Sequence, residues 1–438
     1  MASSRKSKPS LKAKATAAKR IGLALSGGLD SVVLLDTVCK AVKANSTQEP
    51  TEVWVFHIHH GLQKPADQWL EFCEKLAKKY HVHFDFRLLH FADQSQGNIE
   101  ARARAERYDA LTDLCIEHGI EDLLLAHHQN DQAETVLLQL LRGSGVAGLS
   151  AMPLNRASAK DAQTITLWRP LLNQSKAELE AYAKEHKLKW VEDPSNQNTR
   201  YRRNAIRKEI IPRLEKIQPS AIANLARSAD LLAQSQVLLD RLARLDGKST
   251  LQGKSLKLDP LLALVQTDKP AANNLLRYWL KLNDLAMPSQ ERLESWWKDL
   301  LVVKPDSNLE WQHDEACIYL WRGTLQVVRP KAGQWVFQEV PARGKSLGLP
   351  ADWVYQAQAQ GRVEERLRQG AEKIQIKPNA PRKTLKNLFQ ESDTPPWERQ
   401  APLLYINDQL VAVAGVGVSY PHLVSSGKRL HPAWLEQL

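Results

Sequence analysis

IGLALSGGLDSVVLL, residues 21–35, reads as a short apolar strand, a glycine turn and the opening of a helix. Two adjacent glycines, Gly27 and Gly28, let backbone approach phosphate oxygens closely, and the helix behind them offers unpaired N–H groups and a positive dipole end. Ser26 and Ser31 add hydroxyl donors beside Leu29 and Asp30. An acid such as Asp30 makes sense next to an anion if it holds a divalent cation, Mg2+, that bridges phosphates. A Gly-Gly turn after a strand is by itself only a turn; the whole hexapeptide carries the signal. It lacks the lysine of the G-x-x-x-x-G-K-[ST] loop, which disfavours transfer of a terminal phosphoryl group.

Outward from this stretch, apolar β-type runs alternate with longer segments of helical period up to about residue 170. Strands are expected at residues 21–25, 53–59, 83–89, 122–126 and 164–168, and helices at 31–43, 65–80, 99–118 and 132–141. Asn98 suits an N-cap and Gly119 a stop for the third helix, while Ser175 with Glu178 fits a capping box for a later one. Alternation at this spacing predicts an α/β fold, a doubly wound parallel sheet with ligands beyond the carboxyl ends of its strands. Past Pro212 the texture becomes Leu/Ala-rich, and tryptophans gather at Trp279, Trp296, Trp297, Trp311 and Trp321, read as core rather than stacking surface. The alternation in LLYINDQLVAVAGVGVS, residues 403–419, predicts a small mixed α/β domain. The expected partition is a basic arm over 1–20, a catalytic domain over 21–213, a mainly helical domain over 214–329 and a C-terminal domain over 330–438.

A chain of 438 residues exceeds what one core usually supports. Its 60 basic against 49 acidic residues leave a charge of +11, which favours a polyanionic partner. Cys39, Cys73, Cys115 and Cys317 stand far apart without a C-x-x-C pair, which argues against a zinc ribbon or redox dithiol. No apolar run approaches the ~20 residues a bilayer span needs, so no membrane partner and a cytoplasmic location are expected. The first twenty residues carry Arg5, Lys6, Lys8, Lys12, Lys14, Lys19 and Arg20 and no acid. They read as a solvated arm, since no apolar signal core follows.

The SGGxDS pattern at residues 26–31 resembles the pyrophosphate loop of the N-type ATP pyrophosphatases. The resemblance implies that the loop grips the pyrophosphate of ATP while an acceptor oxygen attacks the α-phosphate, giving an AMP-linked intermediate. Further motifs choose within that superfamily: His57-Ile58-His59-His60-Gly61-Leu62, Asn98-Ile99-Glu100 with Arg104 and Arg107, and Ala126-His127-His128-Gln129-Asn130-Asp131-Gln132-Ala133-Glu134-Thr135. Leu141-Arg142-Gly143-Ser144-Gly145, Arg169-Pro170-Leu171-Leu172 and Glu192-Asp193-Pro194-Ser195-Asn196 with Arg203 and Arg207 follow in order. Together, over residues 21–212, they resemble the tRNA(Ile)-lysidine synthetases. In the C-terminal part, Arg382-Lys383-Thr384-Leu385-Lys386 through Pro395-Pro396-Trp397 resembles the terminal domain of the longer members. The resemblance implies ATP as substrate with Mg2+, free L-lysine, and an isoleucine tRNA with a CAU anticodon as partners. A homodimer is compatible with the sequence, which does not fix the oligomeric state.

Physical roles can be set beside that resemblance. Residues 26–31 and the backbone at Ile58 would hold ATP, with Asp30 on the metal. His128 and Asp131 stand where a strand turns into its helix, at the same sheet edge as the loop. The ε-amine of lysine is protonated at neutral pH, and a carboxylate such as Asp131 would bind it and help remove the proton while His128 orients a substrate; His127 reads as structural. Glu134, one turn on, completes an acidic lysine pocket. Arg104 is expected to act in catalysis; a surface ion pair with Glu100 is the plain alternative. Arg203 and Arg207, four apart, are expected to grip tRNA phosphate, as are Arg382, Lys383 and Lys386. The competing readings are a tRNA thiolase, which the missing cysteine pair disfavours, and a non-catalytic tRNA-binding protein, which the intact loop disfavours.

Overall fold

A computed structural model describes residues 19–45, 50–59, 66–89, 99–160, 163–194, 198–304, 309–329, 333–341 and 346–436. The basic arm up to residue 18, Asn98 and the side chain of Glu100 lie outside the described residues. Contacts divide the chain into two compact units that meet between Leu238 and Leu239. The first unit runs past the limit expected for the catalytic domain, residue 213, and the division falls inside a long helix.

The first unit is built on six strands, β1 (Lys19–Ala24), β2 (Thr51–His59), β3 (His83–Leu88), β4 (Asp122–Leu124), β5 (Asn155–Lys160) and β6 (Gln163–Trp168). The order across the sheet is β3-β2-β1-β4-β6-β5. All neighbours are parallel except the β5–β6 edge hairpin. Strand β2 is nearly continuously buried over its second half, as a parallel strand covered on both faces must be. The helices are α1 (Leu29–Asn45), α2 (Ala66–Tyr80), α3 (Ile99–Glu117), α4 (Gln129–Leu140), α5 (Val146–Leu149) and α6 (Lys176–Glu185).

Two apolar layers sandwich the sheet. On one face Leu23, Val55 and the run Val32–Leu35 pack with Cys73, Leu76, Leu179 and Ala183 from α1, α2 and α6. On the other, Phe56, Leu123, Ile165 and Leu167 pack with Leu111, Leu114 and Cys115 of α3. Each fully buried leucine contributes about 1.5–3 kcal/mol by leaving water. The chain runs outward from β1 through β2 to β3, then returns across the sheet to β4, so the carboxyl ends of β1 and β4 flank a topological switch point.

After α6 come α7 (Arg202–Ala205), a five-residue π-turn (Ile206–Ile210), α8 (Ile211–Ile217) and α9 (Ala221–Asp246). In the second unit, helices Leu258–Thr267, Lys269–Leu282 and Gln290–Val302 close over a five-stranded antiparallel sheet. The segment read as mainly helical thus also carries strands: Ala316–Trp321 alternates buried and half-buried side chains, the period of a strand packed on one face. Trp279, Trp296 and Trp297 are fully buried there, with Trp296 stacked on Trp311, so they are core as expected. The remaining C-terminal chain forms two small cores around short sheets and helices Ala351–Ala359 and Leu385–Glu391. Half-buried Trp397 packs against Tyr319 and Trp321. Among the described residues, no helix is long and apolar enough to cross a membrane.

Candidate active site

The loop after β1 is held by its own side chains. Ser31 Oγ donates to the carbonyl of Gly28 at 2.9 Å and lies 3.1 Å from Ser26 Oγ, and the amide of Gly28 donates to Ser26 Oγ. Gly27 adopts φ +86°, a left-handed value that glycine takes without strain. Its carbonyl accepts the amide of Val191, so the segment after α6 braces the loop. Asp30 stands in the first turn of α1 with Oδ1 buried and unpartnered. A buried carboxylate oxygen without a donor is costly; a divalent cation held by one carboxylate, phosphate oxygens and water would satisfy it. Asp30 therefore fits Mg2+.

Across the switch point, His128 caps α4. Its Nδ1 accepts the amide of Asn130, and the carboxylate of Asp131 returns to the amide of His128, a reciprocal capping box. Because Nδ1 accepts, the neutral ring carries its proton on Nε2, which lies 3.5 Å from both Asp30 and Asp131. Burial opposes the imidazolium, but the bond to Asp30 and the charges of Asp131, Asp30 and Glu134 outweigh it and raise the His128 pKa. For Asp131 burial favours the neutral acid, and is outweighed by His128, Arg203, His127 and the amide of His128, so its pKa is lowered.

Arg203 in α7 and Arg207 in the π-turn that follows it point inward. Arg203 Nε donates to Glu134 Oε2 at 2.7 Å and its Nη2 to Asp131 Oδ1 at 3.0 Å. Arg207 Nε donates to Glu134 Oε1 at 2.5 Å and its Nη2 to Oε2 at 2.9 Å, with Asp131 Oδ1 at 3.5 Å. Glu134 is 1 % exposed and both its oxygens are taken. The glutamate expected to meet lysine is thus the buried foot of an arginine clamp, and the arginines expected to reach out to tRNA phosphate face the carboxylates.

Arg104 and Arg107 flank Tyr108 on α3. Arg107 also feels Asp131 and Arg203. Arg169, read in the sequence only as part of a motif, donates to the carbonyl of Pro153 and adds its charge beside His127. Burial, then Arg169, Arg104 and Arg203, overcome Asp131 and push the His127 pKa well below the ordinary value. His127 is therefore neutral, with Nδ1 buried and unpartnered. The arginines here, Arg104, Arg107, Arg169, Arg203 and Arg207, outnumber the acids Asp30, Asp131 and Glu134, a balance that suits a polyanion.

Ile58 lies at the end of β2, its side chain in the α3-facing core, so any nucleotide contact there is through backbone. In the second unit Arg382 and Lys386 are exposed, whereas Lys383 Nζ is bound to both oxygens of Glu391. Asp85, Glu117 and His118 bring potential metal ligands together on another edge. Arg87 pairs with both acids and His118 with Asp85, which satisfies them as an ion network.

Residues 2–214 match the PP-loop domain family, residues 256–326 the TilS substrate binding domain and residues 363–432 the TilS substrate C-terminal domain. The tRNA(Ile)-lysidine synthase of Ralstonia nicotianae is 37% identical over 95% of this chain and 92% of its own. That of Nitrosomonas europaea is 34% identical over 98% and 95%, and that of Burkholderia pseudomallei 34% over 91% and 89%. The chain belongs to the tRNA(Ile)-lysidine synthase family. In this lysidine synthase the PP-loop match ends within α8 and so takes in Arg203 and Arg207 together with residues 26–31. The substrate binding match spans the tryptophan-rich core, and the C-terminal match holds Arg382, Lys383 and Lys386.

Proposed function

We propose that the crevice between β1 and β4 adenylates the wobble cytidine of a CAU-bearing isoleucine tRNA and then couples lysine to it. In the first step the C2 oxygen of the base attacks the α-phosphate of ATP, forming a P–O bond and releasing pyrophosphate. In the second, the ε-amine of lysine, its ammonium proton lost to solvent, attacks C2; the C–O bond breaks, AMP leaves with the electron pair, and the newly bonded nitrogen releases one further proton to solvent. The observation that carries the reading is the convergence of the phosphate-binding loop with the His128/Asp131 edge at one switch point. ATP and tRNA are cytoplasmic substrates, and we place the enzyme there.

Residues 26–31 receive the pyrophosphate portion of ATP through backbone N–H groups and hydroxyls. Asp30 would hold Mg2+, which supplies neutralisation of polyphosphate charge. His128, donating from Nε2, keeps Asp30 and Asp131 oriented toward each other. Asp131 anchors the lysine ammonium; its lowered pKa makes it a poor proton acceptor and a good counter-ion. Arg203 and Arg207 hold Asp131 in place, and Arg207, a third exposed, offers a charge to the lysine carboxylate. Arg104 faces the adenylated base or its phosphate. Arg382 and Lys386 reach the tRNA backbone. A thiolase reading gains nothing from the cysteines: burial pushes both Cys73 and Cys115 up to about 12, the reverse of an activated thiolate.

Protein mixed with Mg2+, ATP, labelled lysine and an unmodified CAU transcript should yield acid-precipitable label with one AMP per lysine. Asp30→Ala and Asp131→Ala should each lower incorporation at least ~100-fold. AMP release without label would point to another nucleophile, and no tRNA-dependent turnover would remove the ligase reading.

A further inference from the structure

Between α7 and α8 the helix contains a π-turn, in which the amide of Ile211 bonds back five residues to the carbonyl of Ile206. Its cause stands in the sequence. Pro212 has no N–H, and its ring would strike the carbonyl of Lys208 four residues earlier, so a straight α-helix through 208–212 is forbidden. One extra residue in the preceding turn removes that clash. The widened turn begins one residue before Arg207 and three after Arg203.

In a regular α-helix, side chains four apart emerge on one face about 6 Å apart along the axis. Here two such arginines close on a single carboxylate. Arg203 takes Glu134 Oε2 while Arg207 takes Oε1 and shares Oε2, and both remain within 3.5 Å of Asp131 Oδ1. Arg207 stands inside the widened turn, so straightening it would change the backbone from which Arg207 reaches Glu134 and loosen the clamp. π-Turns in general concentrate where side chains must be re-aimed for function.

We propose that Pro212 is a positioning residue for lysine coupling: it holds the π-turn from which Arg207 joins Arg203 on Glu134 and Asp131. The inference rests on the reading of Asp131 as the lysine anchor. Pro212 touches no substrate; it acts through the two guanidiniums.

The test is Pro212→Ala, which restores the N–H and lets the α-helical register form. The two steps are read separately, as tRNA adenylation without lysine and as KM for lysine in the full reaction. Expected are an unchanged or higher Tm, adenylation within about twofold of the parent, and a lysine KM raised about tenfold or more. A parent-like lysine KM in Pro212→Ala overturns the proposal. A fall in Tm with equal losses in both steps also overturns it, because Pro212 is then only structural. Asp131→Asn run in parallel separates the two layers: if it leaves lysine KM unchanged, the anchor itself is misassigned. If it raises KM while Pro212→Ala does not, only the role of the π-turn fails.

Discussion

A β-carbon on Gly27 would meet Val191 Cγ2 at 2.9 Å and Cys73 Sγ at 3.2 Å, at a backbone φ of +86°. Its neighbour Gly28 has no such φ, and a β-carbon there would find only Ser26 Oγ at an ordinary 3.5 Å. The two residues should therefore fail differently. Gly27→Ala is expected to cost about 2 kcal/mol or more of stability and to lose ATP with it. Gly28→Ala should melt like the parent yet bind ATP at least ~10-fold more weakly, because its methyl stands where a phosphate must approach. Thermal melts and ATP titrations decide; equal losses of Tm in both variants would contradict this division of roles. Residues 26–31 were legible as a phosphate loop from the whole hexapeptide and its resemblance to a known pyrophosphate loop. Which glycine answers to the fold was not, because Val191 and Cys73 are remote in sequence. Glu134 shows the same limit: one turn from Asp131 it reads as a second pocket acid, but its pairing with arginines about seventy residues on was not legible.

Asp36 on α1 accepts the hydroxyls of Tyr80 from α2 and Tyr182 from α6, each at 2.7 Å, and pairs with Lys40 at 2.8 Å. Burial alone would raise its pKa, but the bonds from Lys40, Tyr182 and Tyr80 win and lower it. A carboxylate with a lowered folded pKa stabilises the protein above its unfolded pKa, and that contribution is lost as pH falls through the folded value. Asp36→Asn should thus cost about 1–3 kcal/mol at pH 7, and denaturant titrations should show the gap closing below the usual carboxylate range. A gap independent of pH would mean that shape, not charge, joins the three helices. The periodic elements were legible because α1 to α4 and the parallel strands bury continuous or regularly spaced apolar side chains. Strand β5, Asn-Arg-Ala-Ser-Ala-Lys, was not; it has no apolar alternation and exists by pairing with β6. The π-turn was hidden too, since Pro212 in a helical pattern reads as a stop.

At the scale of the whole chain, the charge of +11 and exposed Arg382 and Lys386 predict binding of tRNA that weakens with salt. Lys386→Ala should reduce the slope of log affinity against log salt by about 0.7–1, one phosphate contact. Lys383→Ala should change it less, since Glu391 already holds that ammonium. Filter binding across a salt series distinguishes them, and equal slopes for both variants would remove Lys386 from the interface. One tie within the first unit also bears on biosynthesis. The amide of Val191 holds the carbonyl of Gly27, and the amide of Lys176 holds Asn130 Oδ1 at the start of α4. Both walls of the crevice are therefore finished by chain that leaves the ribosome well after the loop and α4 themselves. With about 160 residues between Gly27 and Val191, translation at ~5–20 residues per second leaves the loop without its brace for about 10–30 s. A nascent chain in that interval carries the nucleotide-binding sequence without the brace that completes its site, so capture of ATP waits on the arrival of residues 176–191.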